Sequence, residues 1–240
     1  MHNLAAQTLM RVWEAGVGAP FGLETSACVA ALSGDAMEAV VTRPVGEIDR
    51  DLLALREEVF GPELEGLTEC PACGETLELV FPVRDLVADG AEQVAEHRCE
   101  IDALQVSFRL PSPADVALAA RLPTLAAGRQ MLLQRCVVSV KKDEGVLALS
   151  ELSASTLESI EDGMAGADPQ GACSIALTCP ACGNAWESPM DIGSFVWREI
   201  DSWAERMMDD ISILARAYGW SEAQILGMSQ IRRRRYLERL

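Results

Sequence analysis

The sequence predicts an α+β protein that is mainly α-helical, and three observations support this. Apolar residues recur at helical spacing in several segments, most clearly from Ser194 to Tyr218. Short stretches alternate between apolar and polar residues, as in Gln105–Leu110, which is typical of a strand. A five-residue turn motif occurs twice, at 70–74 and at 179–183, and each copy is followed by an extended segment.

The composition is that of a packed globular protein. The chain has 240 residues, of which 49% are hydrophobic and 24% charged, which excludes generic disorder. Asp and Glu number 37 against 20 Lys and Arg, giving a net charge of −17. This charge argues against wholesale coating of DNA or of an anionic membrane. Residues 201–240 carry six acids and seven arginines, so a basic contact surface is expected at that end.

The N-terminal sequence shows no targeting pattern. It has no basic run before an apolar core, and Glu14 interrupts the first apolar segment. No stretch is long and apolar enough to suggest a membrane span. We therefore expect a cytosolic, reducing compartment, where eight cysteines indicate buried side chains or metal ligands and not a disulfide framework.

The repeated motif is Cys-Pro-Ala-Cys-Gly. A C-x-x-C turn lets two thiolates face one point, and the following glycine relieves the tight backbone. Each turn supplies half of a tetrahedron, so two turns complete a four-cysteine site for one structural zinc ion. The predicted ligands are Cys70, Cys73, Cys179 and Cys182.

The two turns are separated by 105 residues, whereas a common zinc ribbon has about 15–20. The entropic cost of closing a loop rises only logarithmically with loop length, so a folded insertion between the two turns is compatible with one shared site. Residues 75–83 and 184–192 are expected to lie near each other as strands of one split zinc ribbon. The alternatives are two separate dithiols, or disulfides formed on oxidation. The predicted division is an N-terminal helical region at 1–66, the split ribbon at 67–88 and 174–193, an inserted α/β segment at 89–173, and a C-terminal helical region at 194–240.

The sequence offers no catalytic constellation. Four cysteine ligands would fill all four coordination positions of a zinc ion, whereas a catalytic zinc keeps one position open for water or substrate. The two histidines are His2 and His97, and we expect neither to be a ligand. The sequence has no Ser-His-Asp set and no phosphate-binding glycine loop. No catalytic residue is predicted, and Cys28, Cys136 and Cys173 are expected in the core.

The remaining elements follow from periodicity and capping. Ser112, Pro113 and Asp115 form an N-cap pattern that starts a helix, and Gly61-Pro62 ends an earlier one. Helices are predicted at 4–15, 24–32, 44–60, 115–121, 124–139 and 152–164, with strands at 105–110 and 173–178.

The C-terminal segment is predicted to be a long amphipathic helix that Gly219 ends, followed by short helices capped by Ser221 and Ser229. The last of these helices is expected to pack against the rest of the protein through Ile231, Tyr236 and Leu237. The arginines of the last helix are either a solvated face or a docking surface, because Trp, Tyr and Arg are common interface anchors. The candidate partner-binding residues are Trp220, Arg232, Arg233, Arg234, Arg235 and Tyr236.

Several of these residues also carry a resemblance to a known family. The second Cys-Pro-Ala-Cys-Gly turn, Phe195–Asp201, Tyr218–Glu222 and the ending around Arg232, Arg233, Tyr236 and Leu237 resemble phage baseplate proteins of contractile tails and injection systems. That family is similar to the baseplate hub-assembly proteins of T-even phages. The resemblance implies a non-enzymatic role in tail assembly, with baseplate or tail proteins as partners and with self-association a further option. It also implies a location in the cytoplasm during assembly, or in the particle.

Two other classes stay open. A zinc-ribbon protein that binds nucleic acid or acts as a regulator would use the ribbon together with the arginines. The net charge of −17, and the acidic or apolar residues after both turns, argue against it. A metal-dependent or thiol enzyme has still less support.

Overall fold

The computed structural model describes residues 5–88, 94–143 and 145–240. Its fold is α+β, and helix accounts for 53% of it, so the predicted class is confirmed. Leu4, the first residue of the predicted helix at 4–15, lies outside the described residues, as does His2.

Ten α-helices are present in the described part of the chain, together with 3₁₀ turns at Val83–Leu86 and Leu149–Glu151. Among the described residues, no helix combines the length and the apolar character that crossing a membrane requires. The helices are α1 Ala6–Val17, α2 Glu24–Ser33, α3 Met37–Val40, α4 Val45–Phe60, α5 Pro113–Ala119, α6 Leu125–Cys136, α7 Ala154–Ala167, α8 Ile192–Tyr218, α9 Glu222–Leu226 and α10 Gln230–Leu237.

In the residues that the structure describes, the strands form three antiparallel sheets. Two are isolated hairpins, β1–β2 and β7–β8, and the third is a four-stranded sheet in the order β3-β4-β5-β6. The strands are β1 Glu63–Glu69, β2 Thr76–Pro82, β3 His97–Ile101, β4 Leu104–Phe108, β5 Val137–Lys142, β6 Gly145–Val146, β7 Ser174–Thr178 and β8 Ala185–Pro189.

The main core lies where α1, α2 and α4 pack against the first half of α8. The buried side chains of α8, among them Val196 and Ile200, follow its amphipathic spacing. Leu64 of β1 is 1% exposed, and Ile175 of β7 packs against the same cluster. The bases of both hairpins are therefore anchored in the main core.

A second core lies in the inserted segment, between the four-stranded sheet and helices α6 and α7. It includes Phe108, Cys136 and Ile160, all fully buried or nearly so. The expected cap of α5 is present, because the hydroxyl of Ser112 accepts from the N–H of Asp115, and the Asp115 carboxylate accepts from the N–H of Ser112. This places a buried carboxylate at the start of α5.

Two predicted elements are wrong in part. The strand expected at 184–192 ends at Pro189, because Asp191 caps α8 and Ile192 begins it. The helix expected at 124–139 ends at Cys136, and Val137–Lys142 forms β5. The reason is that Val137 and Val140, whose β-branched side chains favour strands, pair with β4 and join the sheet instead of extending the helix.

Candidate metal centre

Each Cys-Pro-Ala-Cys-Gly repeat forms the turn of a hairpin, between β1 and β2 and between β7 and β8. In the first turn the N–H of Cys70 donates to the carbonyl of Glu75 at 2.8 Å, and the N–H of Gly74 donates to the carbonyl of Cys70 at 2.9 Å. The same two bonds, at the same lengths, close the second turn through Cys179, Gly183 and Asn184. The repeat in sequence is therefore a repeat in backbone geometry.

The glycine of each turn has a backbone that other residues rarely adopt. Gly74 has a φ of 76° and Gly183 a φ of 75°, both in the left-handed region. A Cβ at either position would meet no atom within 4 Å. Glycine is therefore favoured by the conformation of the turn and not by a lack of space.

The four sulfur atoms lie together. Cys70 Sγ and Cys182 Sγ are 3.7 Å apart, as are Cys73 Sγ and Cys179 Sγ, and all four ligand atoms lie within 4.8 Å of one another. A disulfide would need about 2.05 Å. A tetrahedral ion with metal–sulfur bonds of about 2.3 Å would place its sulfur ligands about 3.8 Å apart. The arrangement is therefore compatible with one shared metal ion, as the repeat predicts.

Burial and hydrogen bonding differ among the thiols. Cys70 and Cys179 are buried, whereas Cys73 and Cys182 are exposed. Burial acts to raise the pKa of Cys70, but the N–H groups of Ala72 and Cys73 and the neighbouring thiols outweigh it and lower this pKa to about 7. An N–H from Glu75 acts to lower the pKa of Cys73, but the other three thiols raise it to about 12. Four thiolates at this spacing repel one another, so their joint ionisation calls for a cation.

The apolar support of the cluster is small. Leu77 of β2 is buried beside the buried cysteines, and Leu79 and Trp186 pack next to it. These three side chains lie on the inner faces of the hairpins at alternate positions. Sequence analysis did not single them out, although their alternation with exposed residues is the signal that could have identified them.

The other cysteines lie away from the cluster. Cys28 and Cys136 are fully buried, and Cys173 is half-buried. Burial raises the pKa of the Cys28 thiol to about 12, which makes it unreactive. His97 stacks on Phe108, with 5.5 Å between the ring centroids. It is not part of the cysteine cluster.

The C-terminal candidate residues form an aromatic cluster beside an arginine helix. The rings of Tyr218 and Trp220 stack with 4.5 Å between centroids, and Tyr236 contacts Trp220 edge-on at 4.7 Å. Helix α9 connects this aromatic cluster to the rest of the protein. Its Ile225 is fully buried, and its Leu226 packs in a cluster with residues of α1 and α8.

The arginines of α10 have different surroundings. Arg233 is buried and its Nε donates to Asp210 of α8 at 3.1 Å, whereas Arg234 and Arg235 are exposed and both pair with Glu238. Arg232 is exposed. The expectation that Ile231 packs is wrong, because its side chain is 77% exposed while Arg233 occupies the inner face.

Comparison with known proteins gives one finding. A family model described as "T4 bacteriophage base plate protein" matches residues 26–197. The match includes both cysteine turns and the inserted segment, and it ends in the first turns of α8, before α9 and α10. No curated protein and no solved structure shows a significant match to the chain. Because the matched residues make up more than half of the sequence, the chain belongs to the T4 bacteriophage base plate protein family.

Proposed function

We propose that the protein is a non-enzymatic structural or assembly component of the baseplate of a contractile phage tail or a related injection system. Membership of the baseplate family is the observation that carries this proposal. The family also points to interaction with other baseplate or tail proteins and to a place in the phage particle. During assembly the protein would act in the host cytoplasm.

In this role the four cysteines bind one structural zinc ion per chain. Tetrahedral all-sulfur sites take zinc or iron, and a closed four-cysteine shell is typical of structural zinc. The ligands are Cys70, Cys73, Cys179 and Cys182, whose sulfur separations fit such an ion. A closed shell leaves no position for water or substrate, which agrees with a structural role.

The zinc would join the two hairpins into one split ribbon. Under this proposal the ribbon comprises 67–88 and 174–193 and carries the inserted segment 89–173, with 1–66 before it and 194–240 after it. Leu77 and Leu79 of one hairpin and Trp186 of the other belong to one apolar cluster, which supports a common unit.

The C-terminal segment 219–240, which contains α9 and α10, is the proposed partner-docking surface. Trp220, Arg232, Arg234, Arg235 and Tyr236 are at least partly accessible there, and planar guanidinium groups suit carboxylates of a partner. Arg233 has a different part, because its ion pair with Asp210 fastens α10 to α8. The acceptor would be an acidic surface, on another baseplate protein or on a second copy of this chain.

Matched arginine variants separate these parts. Arg232→Ala combined with Arg234→Ala should weaken capture of the partner about tenfold or more and leave the melting temperature unchanged, because these side chains are exposed. Arg233→Ala should lower the melting temperature, because it leaves Asp210 without its cation. Unchanged capture by the double variant would show that the arginines are a solvated face.

Gene deletion and complementation in the producing strain test the function itself. We expect loss of assembled tails, counted by electron microscopy, with recovery by the wild-type gene but not by Cys179→Ser. Normal tails without the protein would contradict the proposal. The nucleic-acid-binding or regulatory alternative would instead give salt-dependent DNA or RNA binding in a shift assay. The pairing of Arg233, Arg234 and Arg235 with carboxylates counts against that outcome.

A further inference from the structure

Strand β1 has a backbone edge that no strand covers in the described part of the chain. Two hydrogen bonds, one beyond each end of β1, show which of its residues bond to β2. The N–H of Cys70 donates to the carbonyl of Glu75, and the N–H of Val83 donates to the carbonyl of Pro62. In an antiparallel pair, the backbone groups of alternate residues point toward the partner strand. In the observed register, the even-numbered residues of β1 therefore face β2, and Glu65 and Leu67 direct N–H and C=O groups away from it.

These outward groups are accessible. Glu63, Glu65, Leu67 and Glu69 are all exposed, and Leu67 keeps 72% of its surface. Within residues 5–88, 94–143 and 145–240, none of their N–H groups donates to another backbone element. An exposed edge of this kind is a template for one more strand, so proteins usually cover or protect it.

The edge opens onto a cleft that a strand would fit. The cleft is about 720 Å³ and has β1 residues Leu64–Thr68 as one wall. The inner face of β7 forms the opposite wall with Ile175 and Leu177, and α8 forms the floor from Phe195 to Arg206. At about 3.3 Å per strand residue and 1.5 Å per helix residue, the β1 wall extends for about 13 Å and the α8 floor for about 16 Å.

The charged residues around the cleft indicate which side chains a bound strand would carry. The outer face of β1 carries Glu63, Glu65 and Glu69. On the floor, Arg198 and Arg206 are exposed, and neither forms an ion pair with any described residue. Two carboxylates also line the cleft, but Glu199 pairs with Arg56 and Asp191 accepts from the N–H of Ser194. Cross-strand neighbours of opposite charge stabilise a sheet, and like charges destabilise it.

We propose that the free edge of β1 binds one extended strand of a neighbouring baseplate protein, in the cleft between the two hairpins. The strand would alternate, with Lys or Arg outward beside the glutamates of β1 and with apolar and acidic side chains inward toward Leu177, Arg198 and Arg206. A second copy of this chain is a poor occupant, because pairing of two β1 edges would bring their glutamates together. The proposal rests on the baseplate function proposed above, since that function supplies the partner.

Proline substitution tests the edge, because proline removes a backbone donor and is tolerated at free strand edges. Leu67→Pro removes an N–H that faces the cleft and keeps the β1–β2 bonds. Leu67→Thr is the matched control, because it retains that N–H. Glu78→Pro is a second control, because its N–H faces the opposite, β2 edge of the same hairpin.

The readout is the number of assembled tails in a deletion strain complemented with each variant. We expect Leu67→Pro to reduce tails at least tenfold, with Leu67→Thr and Glu78→Pro close to wild type. Equal tail numbers for Leu67→Pro and wild type would overturn the edge proposal and leave the baseplate function intact. Normal tails in the uncomplemented strain would overturn both.

A charge variant protects the test against misfolding of the proline variant. Glu65→Lys changes an exposed side chain and should reduce tails about tenfold by repelling the basic partner strand, whereas Glu78→Lys, one strand further from the partner, should have a smaller effect. If Leu67→Pro loses its circular dichroism signal, the Glu65→Lys result decides. Wild-type tail numbers with Glu65→Lys would then overturn the proposal.

Discussion

The two hairpin tips and the inserted segment are stabilised in different ways. Around the cysteines, the buried cluster consists of Cys70, Leu77 and Cys179, whereas the inserted segment buries nine apolar residues, including Phe108. A cluster of three side chains is too small to hold the two hairpin tips together, and small units of this kind rely on metals or disulfides. The comparison shows that one chain can combine a unit dependent on thiolate ligands with a unit dependent on apolar burial.

Removal of one metal ligand should cause the largest loss of structure, and this loss should be confined to the hairpin tips. Cys179→Ser is expected to abolish metal binding and to unfold both tips, because structural zinc contributes roughly 10 kcal/mol or more in small zinc-binding peptides. Hydrogen exchange should accelerate in β1–β2 and β7–β8 while β4 and β5 stay protected. Cys99→Ser, outside the cluster, is the control and should keep the metal. Equal loss of protection in both regions would contradict the comparison.

The inserted segment should respond most to its buried carboxylate. Asp115 is 1% exposed at its side chain and accepts from Arg109 and Arg135. Burial acts to raise its pKa, but the two guanidinium groups and Ser112 outweigh it and hold the pKa well below the ordinary value. Asp115→Asn should cost about 2–3 kcal/mol at pH 7, somewhat less than a fully buried pair because both arginines are partly exposed.

The pH dependence of that cost has a definite sign. A carboxylate with a lowered pKa stabilises the fold above its unfolded pKa of about 4, and this contribution is lost as the pH falls. Urea unfolding of wild type and Asp115→Asn, with chelator present throughout, should therefore show a gap that is largest at pH 7 and shrinks below pH 4. A gap that is constant with pH would exclude this account of Asp115.

The glycines of the two turns should give smaller and equal effects. Gly74→Ala and Gly183→Ala each place a side chain at a φ near 75° in open space, so each should cost about 1–2 kcal/mol from backbone strain alone. Competition with a chromophoric zinc chelator should show similar losses of affinity for both variants. Losses that differ more than tenfold would mean that the two turns are not equivalent.

How far the sequence predicts the molecule depends on how local the cause is. The turns were predictable because Cys, Gly and the tight backbone interact within five residues, and the long helix because its apolar spacing is regular. The end of α6 was not, because Val137 joins a sheet whose partner strand, β4, lies about 30 residues earlier. The burial of Arg233 was not predictable either, because its ion-pair partner Asp210 lies on another helix and no local sequence pattern indicates this pairing. The open edge of β1 was not predictable either, because hydrophobic periodicity does not indicate that no strand of the described residues pairs with it.

Metal content combined with X-ray absorption tests the central claim most directly. Protein purified without added metal should contain one zinc ion per chain, with four sulfur neighbours at about 2.3 Å. Cys73→Ser and Cys182→Ser should contain none, in keeping with their equivalent positions in the two turns. No zinc, two ions per chain, or a shell that includes nitrogen or oxygen would contradict a single shared four-cysteine site.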